Sequence, residues 1–223
     1  MKPPLFARNI RHAQKIQQNL AQLVRIIPFR KTVTTIAGVD AAFTEDKVIA
    51  AACLFSYPEI ILSEETFSIM KTPFPYIPGF LSFREGPAVV KAINKLQKSP
   101  DIVLFDGQGI AHLKGLGIAS HIGVILELPT IGCAKSKLVG EYNAPGISRG
   151  SWSPLRSGDK TIGAVVRTRD NINPVFVSPG HLVDLQTSIT IVLKTAQRFR
   201  LPEPIRHADR ICRERKKQYK HSE

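Results

Sequence analysis

The hydrophobic patterning of this chain predicts an α/β fold: a mixed β-sheet, three antiparallel strands followed by parallel additions, flanked by helices. Three observations predict it. Between residues 32 and 70, three β-rich runs follow one another through connections too short for a crossover, so they pair as an antiparallel meander. From residue 82 onward, helical and strand patterns alternate, which adds strands to the same sheet through helical connections. The run from Ile102 to Phe105 is apolar without alternation, as in a strand buried on both faces.

The elements follow in order. Residues 6–26 have helical spacing, with Phe6, Ile10, Ala13, Ile16, Leu20, Leu23 and Val24 on one face. Arg8, Arg11, Lys15, Gln17 and Gln18 lie largely on the other, and Pro28 ends the segment. Thr32–Phe43, Val48–Tyr57 and Ile60–Met70 are the three strands of the meander. The loop Thr72-Pro-Phe-Pro-Tyr-Ile-Pro-Gly79 is too rich in proline and glycine for regular structure. Residues 82–97 read as a helix with Ser82 as N-cap and Glu85 three residues on, a capping-box pattern. A strand over 102–106 leads to a helix near 116–127, and Pro129 opens another strand, Thr130–Ala134. Residues 140–158 read as a loop. Strands over Thr161–Thr168 and Pro174–Ser178 follow, then a helix from Asp184 to about Arg198. After Leu201-Pro-Glu-Pro204 comes a last helix, running into a basic tail at about 213–223. With no internal repeat and no linker, one domain is expected over 1–223. This order resembles the ribonuclease H-like fold, in which the first strand lies beside the fourth and acids from both converge at one sheet edge.

Composition narrows the function classes. Lysine plus arginine (31) against aspartate plus glutamate (18) gives a net charge of +13 and a pI near 9.9. A field of that sign attracts polyanions, most commonly nucleic acid, although a solubilising surface has the same composition. No apolar run reaches the ~18–20 residues of a membrane span, and the start lacks the apolar core of a signal peptide, so a cytoplasmic protein is expected. Cys53, Cys133 and Cys212 are far apart and form no zinc spacing. Position 112 is His112, where a dinucleotide fingerprint beginning at Gly107 needs glycine, and no phosphate-loop motif occurs.

Two carboxylates stand out. Asp40 closes Thr35-Ile-Ala-Gly-Val-Asp, and Asp106 closes Ile102-Val-Leu-Phe-Asp. A carboxylate inside such a strand is costly unless paired or bound to a cation. Either alone reads equally as a satisfied core acid. Two of them on a basic chain suggest hard-cation binding for phosphoryl transfer. Glu85 either closes the capping box or faces the two aspartates from a helix start. Lys135, at a strand end, is a candidate point charge for a phosphate, with solvated charge as the plain alternative. His112 is a proton shuttle, a phosphate donor or a structural hydrogen-bonder. Tyr76 tips a stiff loop of the kind that enters base steps, and ordinary surface loops look the same.

Together these segments resemble the endonuclease V family. The motifs Ile36-Ala-Gly-Val-Asp40, Pro75-Tyr-Ile-Pro-Gly-Phe-Leu-Ser-Phe-Arg-Glu85, Asp106-Gly-Gln-Gly109 with His112, Gly132-Cys-Ala-Lys135-Ser and Val177-Ser-Pro-Gly-His181 come in the family's order. The resemblance implies magnesium-dependent cleavage of DNA at deoxyinosine, with Mn²⁺ as a substitute cation. It implies a cut one nucleotide beyond the lesion on its 3′ side, leaving a 3′-hydroxyl and a 5′-phosphate. Some members prefer inosine in RNA. By position, Asp40, Glu85 and Asp106 match the metal-binding carboxylates, with Asp209 near a further metal-linked position. Tyr76 matches a wedge that splits the strands, and His112 and Lys135 match residues near the scissile phosphate. Pro78, Gly79, Leu81, Gly109 and Ile110 lie in segments that would form the pocket for a flipped base, and His181 has a loop-organising role. The partner implied is double- or single-stranded DNA with deaminated adenine, or inosine RNA, with no membrane, and the protein acting as a monomer. Two other classes compete: a non-catalytic damaged-DNA binder, which would have no need of all three acids, and a nucleotide-dependent oxidoreductase, whose glycine pattern is missing.

Overall fold

The computed structural model describes residues 5–220. Eight described strands form one sheet in the order β3-β2-β1-β4-β5-β8-β7-β6. They are β1 (Thr35–Phe43), β2 (Lys47–Ser56), β3 (Leu62–Lys71), β4 (Ile102–Phe105), β5 (Thr130–Ala134), β6 (Trp152–Ser157), β7 (Lys160–Val166) and β8 (Val175–His181). The helices are α1 (Ile10–Ala21), α2 (Leu81–Ile93), α3 (Ile118–Leu126), α4 (Leu185–Thr195) and α5 (Glu203–Lys220). The meander β1-β2-β3 is antiparallel, and β4 pairs parallel to β1, the neighbour relation expected from the order of patterns. The parallel additions stop at β5, because β8, β7 and β6 return antiparallel.

Strand alternation splits the core into two layers. Ala37, Val39, Val103 and Phe105 face α2 and α3, meeting Val89 and Ile122. Ile36, Ile102 and Leu104 face the other way, against Ile189 and Val192 of α4 and Ile205 of α5. Burying each such side chain stabilises the fold by roughly 1.5–3 kcal/mol, so both helical layers are held firmly to the sheet. Cys53, Cys133 and Cys212 are free and buried in it. Among the described residues no helix is long and apolar enough to cross a membrane.

Five sequence expectations change. The first helix is shorter than residues 6–26, and Phe6, Ile10 and Leu23 are exposed. Tertiary hydrogen bonds hold the chain extended after it: Leu182 N–H donates to the Arg25 carbonyl, and Phe29 N–H to Asp184 Oδ2. Residues 152–157, expected as loop, are β6. Pro154 is tolerated there because β6 is an edge strand. The strand expected to end at Ser178 continues to His181, past Pro179, with a register shift at Thr130/Ile131 of its partner β5. Ser82 caps nothing: α2 starts one residue earlier with Phe80 at the N-cap position, and Ser82 lies inside the helix. The expected basic tail is mostly the last turns of α5, and residues 221–223 lie outside the described residues.

Candidate active site

Register places the two aspartates together. In the parallel β1–β4 pair, Val39 stands opposite Phe105, so Asp40, within β1, and Asp106, just past the C-terminal end of β4, each come one residue beyond the last paired position. Open α/β sheets bind their ligands at this edge. Alternation puts both on the sheet face of Gly38 and Leu104, the face α5 covers. Gly38 makes that cover possible, since a Cβ there would meet the Pro204 carbonyl carbon at 2.1 Å. The close approach brings Asp209 of α5 near enough for its charge to act on Asp40. Asp209 itself is held by Arg213, through Nε to Oδ1 at 2.8 Å and Nη2 to Oδ2 at 2.7 Å.

Glu85 enters from α2 and is 8% exposed. Burial, then the charges of Asp40 and Asp106, push its pKa up to about 8, against the opposing pull of Arg84. Asp40 is raised to about 7 by burial first and Asp106 second; Asp209 adds to the rise, while the Ala41 amide and Lys135 oppose it. Asp40 and Glu85, each raised in part by the charge of Asp106, form with it an all-oxygen donor set for a hard divalent cation, which would offset that repulsion. They are close enough to repel but not gathered. Among the described residues no three His, Cys, Asp or Glu side chains are placed to hold one ion between them. Instead Lys135, the residue after β5, sets its Nζ 2.5 Å from Asp106 Oδ2. Burial alone would lower the Lys135 pKa, but the hydrogen bond and charge of Asp106 outweigh it and raise it.

Beside these acids lies a cavity of about 470 Å³. Tyr76, Pro78, Gly79, Leu81, Asp106, His112 and Lys135 all line it, so most of the residues singled out in the sequence converge on one space. Tyr76 is 69% exposed at its rim, on a loop anchored by the buried Phe74. Gly79 has φ +83° and open space where a Cβ would stand. His112 takes the Lys114 amide on Nδ1, and burial lowers its pKa, which favours the neutral ring.

Gly109 and Ile110 do not line this cavity. Gly109 N–H donates to Ser178 Oγ at 2.8 Å, and Ile110 N–H to the Pro179 carbonyl at 2.8 Å. A Cβ on Gly109 would meet the Pro179 carbonyl oxygen at 2.1 Å, so the glycine serves the approach of β8. His181 sits at the far end of β8, opposite Thr130 at the start of β5, where its Nδ1 accepts the Arg25 amide. It organises the α1–β1 connection.

Sequence reading missed three positioning residues. Gln17, assigned to a polar face, is 2% exposed and donates from Nε2 to the Gly79 carbonyl at 2.7 Å, tying α1 to the Tyr76 loop. Gln108 donates from Nε2 to the Ser136 carbonyl at 3.1 Å, joining the Asp106 loop to the Lys135 loop. Ser82 Oγ pairs with His121 Nδ1 at 2.8 Å behind the cavity wall. Gln17 carries no sequence signal, and Gln108 and Ser82 show only a polar residue inside a motif, which does not name its partner.

The comparisons agree with this geometry. Residues 18–210 match the family profile described as Endonuclease V. The chain is 47% identical over 214 residues to Endonuclease V of Geotalea uraniireducens, covering 96% of this chain and 92% of that one. The crystal structure of Endonuclease V from Streptomyces avermitilis superimposes with a TM-score of 0.92 at 36% identity, covering 96% of each chain. The fold is also that of Ciona intestinalis Endonuclease V, solved in complex with a 24mer DNA containing an inosine followed by a ribo-adenosine. That match has a TM-score of 0.81 at 24% identity, covering 94% of this chain and 98% of that one. With a family profile across most of its length and relatives this similar end to end, the chain with paired aspartates on a ribonuclease H-like sheet belongs to the endonuclease V family of nucleases.

Proposed function

We propose that this protein is a Mg²⁺-dependent DNA repair endonuclease that nicks the strand carrying deoxyinosine, the product of adenine deamination. The cut falls at the second phosphodiester bond 3′ to the lesion and leaves a 3′-hydroxyl and a 5′-phosphate, with the base retained. The observation that carries the reading is the β1–β4 register, which sets Asp40 and Asp106 each one residue beyond the last pair, beside a cavity that is lined by Lys135 and rimmed by Tyr76. The inosine-containing DNA bound by the Ciona protein of the same fold supports the substrate. The whole chain would work as one catalytic domain and as a monomer in the cytoplasm.

Asp40, Asp106 and Glu85 would hold the Mg²⁺, for which Mn²⁺ substitutes, with Asp209 as an outlying fourth carboxylate. Bound there, the cation supplies Lewis acidity to the phosphate and to the attacking water. The rest falls to the protein's own side chains. Flipping a purine out of the stack costs a few kcal/mol, least at a mispaired site, and Tyr76 fills the gap left behind. The base enters the cavity between the Pro78–Leu81 segment and the Asp106 loop. The Gly109 and Ile110 amides are engaged within the protein, so readout of the hypoxanthine edge falls to the Gly79–Leu81 side. Lys135 donates to a phosphate oxygen as charge builds in the transition state. The neutral His112, whose Nδ1 already accepts the Lys114 amide, is left to donate from Nε2 to a phosphate oxygen or to orient the water.

The test is a parallel nicking assay on duplex DNA with deoxyinosine, undamaged duplex and inosine RNA, using wild type and Asp106→Asn with Mg²⁺. Nicking of the deoxyinosine strand by wild type alone is expected. Full activity of the variant would remove the metal role of Asp106, and cleavage confined to RNA would replace the substrate.

A further inference from the structure

We infer that the groove along α5 is a second nucleic-acid contact, which grips the phosphate backbone of the cut strand on the side away from the lesion cavity. Which strand is cut, and where, rests on the function proposed above.

The groove follows from the helix. Ile205, Ala208, Ile211 and Cys212 are buried against the sheet, which turns Arg206, Arg210, Arg213 and Lys217 outward. Their spacing of four, three and four residues puts them in one stripe. Eleven residues at 1.5 Å each extend the stripe about 16 Å. A stripe of that length reaches more than one phosphate of a strand, and each contact adds to the salt dependence of binding. Beside it the surface hollows into a groove of about 700 Å³, with Arg198 on its wall and Phe55 and Phe199 among its apolar lining. The Arg206 guanidinium lies 3.2 Å from the centroid of the Phe199 ring, a cation–π contact that fixes this cation at the groove.

The cations are held in place without being neutralised. Five basic residues line the groove against three acids, Glu203, Asp209 and Glu214. Arg210 and Arg213 side chains are 58% and 69% exposed in their pairs with Glu214 and Asp209. Exposed pairs of this kind are worth about 0–1 kcal/mol, so a phosphate oxygen can displace the carboxylate at little cost. The partners fix the guanidinium directions in advance.

Position gives the groove its strand. Asp209 lines it and also acts on Asp40, while Asp106 lines the base cavity. The acids therefore stand between the cavity and the groove. With the base in the cavity and the phosphate to be cut at the acids, the chain leaving toward the groove is the flank beyond the cut, the 3′ flank.

The test measures binding without cleavage, in EDTA. The salt dependence of affinity for undamaged duplex is compared among wild type, the double variant Arg210→Ala with Lys217→Ala, and a control, Lys91→Ala with Lys98→Ala, which removes the same charge from outside the groove. Each phosphate contact contributes about 0.9 to the slope of log K on log salt, so the groove variant should lose about 2 while the control keeps the wild-type slope. Arg210→Lys with Lys217→Arg should retain it, which a merely misfolded protein would not. On a deoxyinosine duplex, shortening the 3′ flank should abolish the difference between wild type and the groove variant, and shortening the 5′ flank should not. An unchanged slope in the groove variant, an equal loss in the control, or a dependence on the 5′ flank overturns the inference. Loss of slope without nicking at deoxyinosine would refute the substrate and leave the groove standing; nicking with an unchanged slope would do the reverse.

Discussion

Asp40→Asn keeps the shape of the side chain and removes its charge. Asp40 is raised from 3.8 to about 7, by burial first and the charge of Asp106 second. A carboxyl with a folded pKa above its unfolded one costs nothing below about pH 3.8, where both states are protonated. The cost grows as pH rises and is complete above pH 7. At about 1.36 kcal/mol per pKa unit, the rise from 3.8 to about 7 corresponds to about 4 kcal/mol. In EDTA, the asparagine variant should therefore be more stable than wild type, by up to about 4 kcal/mol at pH 8 and by less than about 1 kcal/mol near pH 4. Urea unfolding followed by circular dichroism at the two pH values reads the difference. Saturating Mg²⁺ should narrow or reverse the order at pH 8, because a ligand bound by the native carboxylates stabilises wild type in proportion to its affinity. A variant less stable than wild type by the same amount at both pH values would refute the electrostatic reasoning. Equal stabilisation of both proteins by Mg²⁺ would refute Asp40 as a ligand.

Four further outcomes follow from particular contacts. Gly38→Ala should cost at least about 3 kcal/mol, read as a fall in the urea midpoint, because the new Cβ meets Pro204 backbone at 2.1 Å. Gly79→Ala meets no atom within 4 Å, and the strain of φ +83° alone should cost about 1–2 kcal/mol. Lys135→Met should lower kcat by about 10²–10³-fold on a deoxyinosine duplex, the scale of losing one transition-state charge donor; a change in KM alone would place the lysine in binding only. Tyr76→Ala should weaken affinity for the lesion more than for undamaged duplex in a competition assay, and equal losses would remove the wedge.

Much of this was legible in the chain because two signals are local. Asp40 and Asp106 each end an apolar run, and a parallel pairing of those runs brings them together whatever the helices do. The stiff Pro75–Pro78 loop announces an exposed tip, and Tyr76 is one. What was not legible depends on partners far away in sequence. Ser82 and Glu85 fit a capping box, but α2 begins before Ser82, whose hydroxyl goes to His121, 39 positions on. Gln17 matches the polar face of α1, yet the Gly79 carbonyl, 62 positions away, draws it inside. Gly109 looks like room for a base, and β8 fills that room. β6 was hidden because Pro154 breaks a central strand but not an edge one.

Metal-dependent cutting beside deoxyinosine is read out by incubating wild-type protein with an end-labelled duplex carrying one deoxyinosine, in Mg²⁺ and in EDTA, and sizing the products at single-nucleotide resolution. One nick is expected, in the lesion strand, at the second phosphodiester bond on the 3′ side, in Mg²⁺ only. Cleavage in EDTA, release of the base, or a cut unrelated to the lesion would contradict it.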